Sequence, residues 1–327
     1  MMDRDFDWGM HYFRAFAILA IIACHYAAVY GYEKLDKIVF TSSTAYFLFI
    51  SGYLCQFLHC KRPDRPLAYY RKKFVNVICP FLVFSILFGI FKGEIAFSAD
   101  FLANVLMGRM QLQYWYIPFV SLLFLVSPGI CRLGNGALLA LTGIAALLFL
   151  LFPYRIPEFT LKWPGVFYQY TYFVFFYVFG FLYCRHKAVF EATIKRYWVV
   201  FAVAALLLLV LLWNGGVGGI KCANTGIAIN LQRLMMIFVA LGLLQKIRDK
   251  KVWLLDNLAK FSFTLYFVHL GLLFVLEPAR LKLVEMIPLP AIFTDLSLYC
   301  VFVLSMLVAA MGLKRVLGKY SRPLIGA

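Results

Sequence analysis

The stretch Met10–Gly31, MHYFRAFAILAIIACHYAAVYG, is an apolar run of bilayer-crossing length that carries Arg14 and His25 within it. A membrane span needs about 20 predominantly apolar residues, and an ionisable side chain inside one costs about 3 kcal/mol on insertion scales. Neither residue sits there by default. At about 100° and about 1.5 Å per residue, the spacing from 14 to 25 brings both side chains to nearly one face, about 16 Å apart along the axis. The first element is thus read as a transmembrane helix whose one stripe carries a cation low and an imidazole high, and the rest of the chain as a cage around that stripe.

The composition extends this reading to the whole chain. Of 327 residues, 64% are apolar or aromatic and only 14% charged, with a mean hydropathy of +0.84, which excludes a soluble globular protein. The 34 Phe and 20 Tyr suit lipid-facing helices and interfacial girdles, and need no permanently bound cofactor to explain them. A net charge of +17 would point to nucleic acid in a soluble protein; here the Lys and Arg residues cluster between apolar runs, as positive-inside topology requires, so the expected partner is the bilayer and not nucleic acid. The eight cysteines show no CxxC pair and no ligand-like spacing, so neither a disulfide framework nor a metal site is expected.

Apolar runs bounded by charged or Gly/Pro/Asn clusters predict ten transmembrane helices, near 10–31, 38–59, 74–91, 112–130, 136–153, 167–184, 197–213, 228–245, 258–277 and 291–313. Their connections alternate in basicity. One side holds Arg4, then Lys61, Arg62, Arg65 and Arg71–Lys73, then Arg132, then Arg185, Lys187, Lys195 and Arg196, then Lys246–Lys251, and finally Lys314, Arg315, Lys319 and Arg322. The other has only Lys34, Lys37, Lys92, Arg109, Arg155, Lys162, Lys221, Arg280 and Lys282. Both termini are therefore expected in the cytoplasm, in a multi-pass protein of the cytoplasmic (inner) membrane. Residues 1–9 lack a basic leader region, and no small-residue cleavage site closes the first run, so that run is expected to stay as a signal anchor. No linker, low-complexity tract or internal repeat divides the chain, which reads as one all-α transmembrane domain over residues 1–327.

Several polar positions fall near the Arg14–His25 stripe. In the second span, TSSTAYFLFISGYLCQF (41–57), Thr44 comes near the level of His25, and Ser51-Gly52 falls between His25 and Arg14. Gly52 either leaves room for a thin ligand beside the first helix or is a small-residue packing site. YYRKKFVNVICP (69–80) is expected to open the third helix with Arg71, Lys72 and Lys73, giving either a phosphate-binding corner or simple topology determinants. In QLQYWYIPF (111–119), Trp115 and Tyr116 are belt aromatics or line a polar entrance. The ninth span, KFSFTLYFVHLGLLF (260–274), puts His269 near mid-membrane with Tyr266 almost one turn below, and Arg233 stands at the outer end of the eighth, in position to meet a polar ligand or to snorkel.

Arg14 and His25 at that spacing, then FLFISGYL, YYRKKFVNVICP, YWYIPF and FSFTLYFVH in that order, resemble acyltransferase family 3, the integral-membrane O-acyltransferases that modify bacterial surface glycans. The matching blocks run from residue 14 to residue 269, with departures at Asn76, where another basic residue is common, and at Gln113-Tyr114, where a His often precedes the aromatic pair. The resemblance implies an acyl-CoA co-substrate, most commonly acetyl-CoA, and transfer of its acyl group to a hydroxyl of an extracytoplasmic or lipid-linked sugar. On that basis Arg71, Lys72, Lys73 and Arg14 would hold the CoA phosphates, Ser51 and Gly52 would flank the pantetheine arm, and His25 would be the general base. Thr44, Tyr266 and His269 would serve the oxyanion, and Trp115 and Arg233 the acceptor pocket. Direct transfer and an acyl-His intermediate both stay open, as does homo-oligomerisation. The competing reading from these residue types is a transporter or flippase for a lipid-linked sugar, in which the buried ionisable groups bind substrate or relay protons.

Overall fold

The computed structural model describes residues 6–32, 34–40, 43–61, 66–93, 98–152, 165–219, 222–286 and 291–327. Arg4, Arg62, Arg65, Arg155, Lys162 and Lys221 of the charge pattern lie outside them. The described residues are helical throughout, without a strand: α1 (Trp8–Val29), α2 (Thr44–Lys61), α3 (Pro66–Lys73), α4 (Cys79–Phe91), α5 (Ala99–Leu106), α6 (Tyr116–Arg132), α7 (Asn135–Leu151), α8 (Gly165–Arg185), α9 (Lys187–Gly219), α10 (Cys222–Gln245), α11 (Trp253–Met286), α12 (Ala291–Leu317) and α13 (Ser321–Ile325). Among the described residues each of the ten apolar runs overlaps a helix, the run 38–59 being shared between a π-helical segment, Leu35–Phe40, and α2. Among the described residues eight helical stretches are long and apolar enough to cross a membrane, and α7, at 17 residues, is shorter.

The chain is a polytopic helical membrane protein with α1 and α2 at its centre. In the most apolar windows of Trp8–Val29 and of Leu35–Lys61, the stretch that ends in α2, 56% and 69% of residues are buried, against 11% in α9, whose Val203, Leu206 and Leu207 face outward as a lipid-exposed helix must. Asp7 caps α1 by accepting the Met10 amide at 3.1 Å. Side-chain contacts fix the directions of the neighbours. Tyr12 donates to the Lys250 carbonyl (2.7 Å) at the start of α11, and Tyr30 donates to the Leu273 carbonyl (3.3 Å) further along it, so α1 and α11 run parallel. Tyr299 donates to the Leu19 carbonyl (2.9 Å) and Tyr26 to the Asp295 carbonyl (3.1 Å), so α12 runs opposite. Phe13 meets Phe49 and Phe16 meets Tyr46, at ring separations of 5.6 and 5.2 Å, so α2 does as well. This is the alternation that the first, second, ninth and tenth of a series of crossings require.

Boundaries differ from expectation at α3, α9 and α11. Arg71–Lys73 do not open a helix: α3 starts at Pro66, where a missing amide proton leaves no bond unmade, and runs through a π-helical turn, Phe74–Ile78, into α4. The turn stands just before Pro80, whose ring cannot follow a regular α-helix without clashing with the preceding turn, and the wider π geometry relieves this. The backbone amides beside the three cations are thus inside a helix and not free at its start. Similarly, α9 (33 residues) and α11 (34 residues) extend well beyond their apolar runs.

Candidate active site

On α1, Arg14 and His25 both face α11. The Arg14 guanidinium lies over the Phe263 ring, 5.4 Å from its centroid, and the His25 and His269 rings are 5.2 Å apart at 38°. Among the described residues neither Arg14 nor His25 makes a hydrogen bond or an ion pair. Each keeps accessible surface although protein atoms crowd both. A guanidinium with five donors and no protein acceptor, half-buried at membrane depth, is a group left available to a ligand.

Between these two positions runs a wall of hydroxyls and aromatic rings. Ser51 of α2 and Tyr116 of α6 share a hydrogen bond of 3.1 Å, and Tyr116 lies within electrostatic range of Arg14. The Tyr116 ring is 5.8 Å from that of Tyr266, and Tyr266 is 6.2 Å from His269. Phe47 packs 6.3 Å from both tyrosines. Residues from α1, α2, α6 and α11 therefore form one run of side-chain contacts from Arg14 to His25. Phe263, which sequence reasoning did not single out, and Tyr116, read there as a belt aromatic or as lining a polar entrance, belong to this run. Tyr116 stood in a quoted motif, but which of its aromatics turns inward is set by the 3-10 turn Leu112–Trp115, a backbone detail that no residue pattern shows.

Several expected members lie elsewhere. Gly52 faces away from α1: a Cβ there would fall 1.9 Å from the Tyr177 carbonyl oxygen of α8, and one on Gly180 would fall 2.2 Å from the Phe49 carbonyl oxygen. The pair is a helix–helix crossing, so the packing alternative is the correct one and Gly52 does not flank a ligand path along α1. Trp115 stacks with Phe119, Tyr170 and Phe173, on the α8 side of α6. Arg233, 1% exposed, donates to the Ile38 carbonyl (2.9 Å) and to the Tyr46 hydroxyl (3.3 Å), and its charge reaches Cys24 on another side of α1. It holds the π-helical segment Leu35–Phe40 onto the bundle and does not snorkel. Thr44 opens α2 half-buried, and no hydrogen bond among the described residues joins it to His25.

The donors expected for an oxyanion are engaged. The Tyr266 hydroxyl donates to the Gln113 carbonyl, and His269 Nδ1 lies 2.8 Å from the Tyr266 carbonyl and 3.1 Å from that of Leu265. In this arrangement the Tyr266 hydroxyl and His269 Nδ1 are thus turned to backbone carbonyls and not to His25. Gln113, whose backbone carbonyl takes the Tyr266 hydroxyl, is itself buried with both side-chain polar atoms unpartnered.

Below Arg14 the basic segments converge at one end of the bundle. Lys187 pairs with Asp7 at 2.6 Å, Arg248 with Glu191 at 3.3 Å, and Arg185 donates to the Cys131 and Leu133 carbonyls. Asp256 takes His11 at 3.0 Å and Lys260 at 2.8 Å. Arg71 and Lys72 are exposed, and Lys73 lies over the Phe124 ring at 4.0 Å. The C-terminal α13 folds back here: Thr264 donates to the Ile325 carbonyl at 2.8 Å, and exposed Arg322 comes within electrostatic range of Arg14. Among the described residues no group of three or more His, Cys, Asp or Glu side chains converges as metal ligands would.

No curated protein and no solved structure matches the chain. A family model described as an acyltransferase domain, that of acyltransferase family 3, matches residues 7–315, from the α1 cap into the last turn of α12. With nearly its whole length matched, and with the arginine and histidine of its first helix both turned to α11, the chain belongs to acyltransferase family 3.

Proposed function

We propose that this membrane acyltransferase takes an acyl group, acetyl in the first instance, from cytoplasmic acyl-CoA and transfers it to a hydroxyl of an extracytoplasmic or lipid-linked glycan. The observation that supports this reading is an unsatisfied Arg14 and an unsatisfied, accessible His25 on one face of α1, both turned to α11 and joined by a run of contacting side chains. Family membership favours the transferase over a carrier that would use the same groups for transport.

CoA phosphates are held at the basic end, where Arg14, Arg71, Lys72 and Lys73 supply positive charge and Arg14's planar fork suits a phosphate or amide oxygen. The slender pantetheine arm extends past Ser51 and Tyr116, a rise of about 16 Å at about 1.5 Å per residue, and brings the thioester to His25. His25 removes the proton of the attacking hydroxyl, the oxygen–carbon bond forms, and the carbon–sulfur bond breaks. Thiolate then leaves and recovers the proton from the imidazolium. An acyl-His intermediate would place the same proton traffic in two steps.

The test is mass spectrometry of host surface glycans with wild-type protein, with His25→Ala, and without the protein. Wild type is expected to add an acyl increment that His25→Ala lowers about 10²- to 10⁴-fold at equal membrane abundance, the range for removal of a general base. Arg14→Ala is expected to raise the KM for acyl-CoA without changing which acceptor is modified. Near-normal glycan acylation by His25→Ala removes the mechanism.

A further inference from the structure

We propose that His269 is a positioning residue for His25, a neutral imidazole locked in one tautomer whose Nε2 lone pair receives an N–H of the His25 ring. The proposal rests on the acyltransfer reading above and names what orients its base.

The tautomer follows from the partners of Nδ1. Two carbonyl oxygens stand against it, Tyr266 at 2.8 Å and Leu265 at 3.1 Å, and a carbonyl oxygen can only accept. A lone pair there would face two others, so Nδ1 carries the hydrogen and, in the neutral ring, Nε2 carries the lone pair. His269 is 0% exposed, and its Nε2 has no partner within the protein. A buried acceptor left unmade is uncommon and asks for a donor.

The group placed to supply it is His25. Two imidazoles joined edge to edge by an N–H···N bond of about 2.9 Å have ring centres about 5 Å apart, and these stand 5.2 Å apart with a tilt of 38°. His25 is half-buried and free of other hydrogen bonds among the described residues, so no competing partner holds its ring N–H groups away from His269 Nε2. His269 has no such freedom, because its ring is pinned to the backbone of its own helix. The two helices are held in register at both ends, by His11 with Asp256 and by Tyr30 with the Leu273 carbonyl.

In the reaction, one His25 nitrogen takes the hydroxyl proton while the other keeps its hydrogen on His269 Nε2. No proton passes to His269; the hydroxyl O–H breaks, the His25 N–H and ester C–O bonds form, the C–S bond breaks, and the thiolate takes the proton back. His269 thereby fixes which His25 nitrogen meets substrate, the part a carboxylate plays in a Ser-His-Asp triad, without an anion at membrane depth.

The experiment has two arms on full-length protein in lipid nanodiscs. In the first, ¹⁵N-histidine NMR, with the His269 signals assigned by their loss in His269→Gln, is expected to show Nδ1 protonated and Nε2 unprotonated; a protonated Nε2 at neutral pH overturns the proposal. In the second, transfer from acetyl-CoA is compared for wild type, His269→Gln and His269→Leu. Gln extends an amide oxygen to the place of Nε2 and is expected to keep kcat within about tenfold, whereas Leu loses about 10²- to 10⁴-fold in kcat with the KM for acetyl-CoA unchanged. Equal losses in both variants, or a KM rise at constant kcat, overturn it. An active wild type with the wrong pattern removes this proposal alone; a wild type inert toward acyl-CoA removes the acyltransfer reading and this proposal with it.

Discussion

Gly52 and Asp7 show how single side chains hold the frame on which the path is built. At Gly52 the missing Cβ lets α2 rest on the α8 backbone, since the nearest atom to an added methyl group, 1.9 Å away, is a carbonyl oxygen and not a movable side-chain tip. Gly52→Ala is therefore expected to push the helices apart and destabilise the protein by about 1–3 kcal/mol, the usual range for overpacking. Thermal unfolding in detergent checks this, and an unchanged Tm refutes it. At Asp7 burial raises the carboxyl, but the Lys187 charge and hydrogen bonds from Lys187, Tyr53 and the Met10 amide outweigh it and hold the group below its ordinary value. A carboxylate lowered on folding lends stability that is complete above its unfolded value of about 3.9 and drains away as pH falls through the folded one. Wild type should lose Tm in that acid window more steeply than Asp7→Asn, which keeps a capping oxygen without the charge; parallel curves count against the assignment.

Among elements, the ends of α1, α11 and α12 on the His25 side meet at one carboxylate. Arg280 donates from Nε to Asp295 Oδ1 at 2.7 Å and from Nη2 to Oδ2 at 2.5 Å. Tyr32 donates to the same carboxylate, and Tyr30 lies 4.1 Å under the guanidinium. Both charged side chains are well buried, at 14% and 4% exposed, so removing one partner strands the other. Asp295→Ala is expected to cost about 3–5 kcal/mol, while the double variant Arg280→Met/Asp295→Leu recovers most of it, because a buried pair barely exceeds well-packed apolar groups. Equal Tm values for the single and double variants contradict this. Elements also show where residue patterns mislead. The run Arg71–Lys73 looks like a helix start because it ends the polar loop, yet Pro66 begins the helix five residues earlier and a π-helical turn carries it past Pro80.

At the scale of the whole molecule, the contacts that make α1 and α11 parallel, with α2 and α12 opposed, gather the Lys- and Arg-rich segments at one end of the bundle. We propose that this end, with both termini, faces the cytoplasm, as cytoplasmic retention of basic loops requires. A fluorescent reporter fused after Ala327 should then fold and emit, and alkaline phosphatase fused after Gly31 should be active; the reverse pattern inverts the topology and puts the basic end out of reach of cytoplasmic acyl-CoA.

What the residues determined unaided was the all-helical membrane fold, the placement of its apolar runs and the shared face of Arg14 and His25. Those depend on sums over about 20 neighbours and on the helical repeat, and both are local quantities. Tertiary structure alone decided what each face meets. Ser51 and Gly52 differ by about 100° around α2, and packing sends the first to Tyr116 and the second to α8. Trp115 and Tyr116 part in the same way, toward α8 and toward Tyr266. The His25–His269 pair is likewise decided by packing: the two rings stand 5.2 Å apart only because α1 and α11 lie side by side.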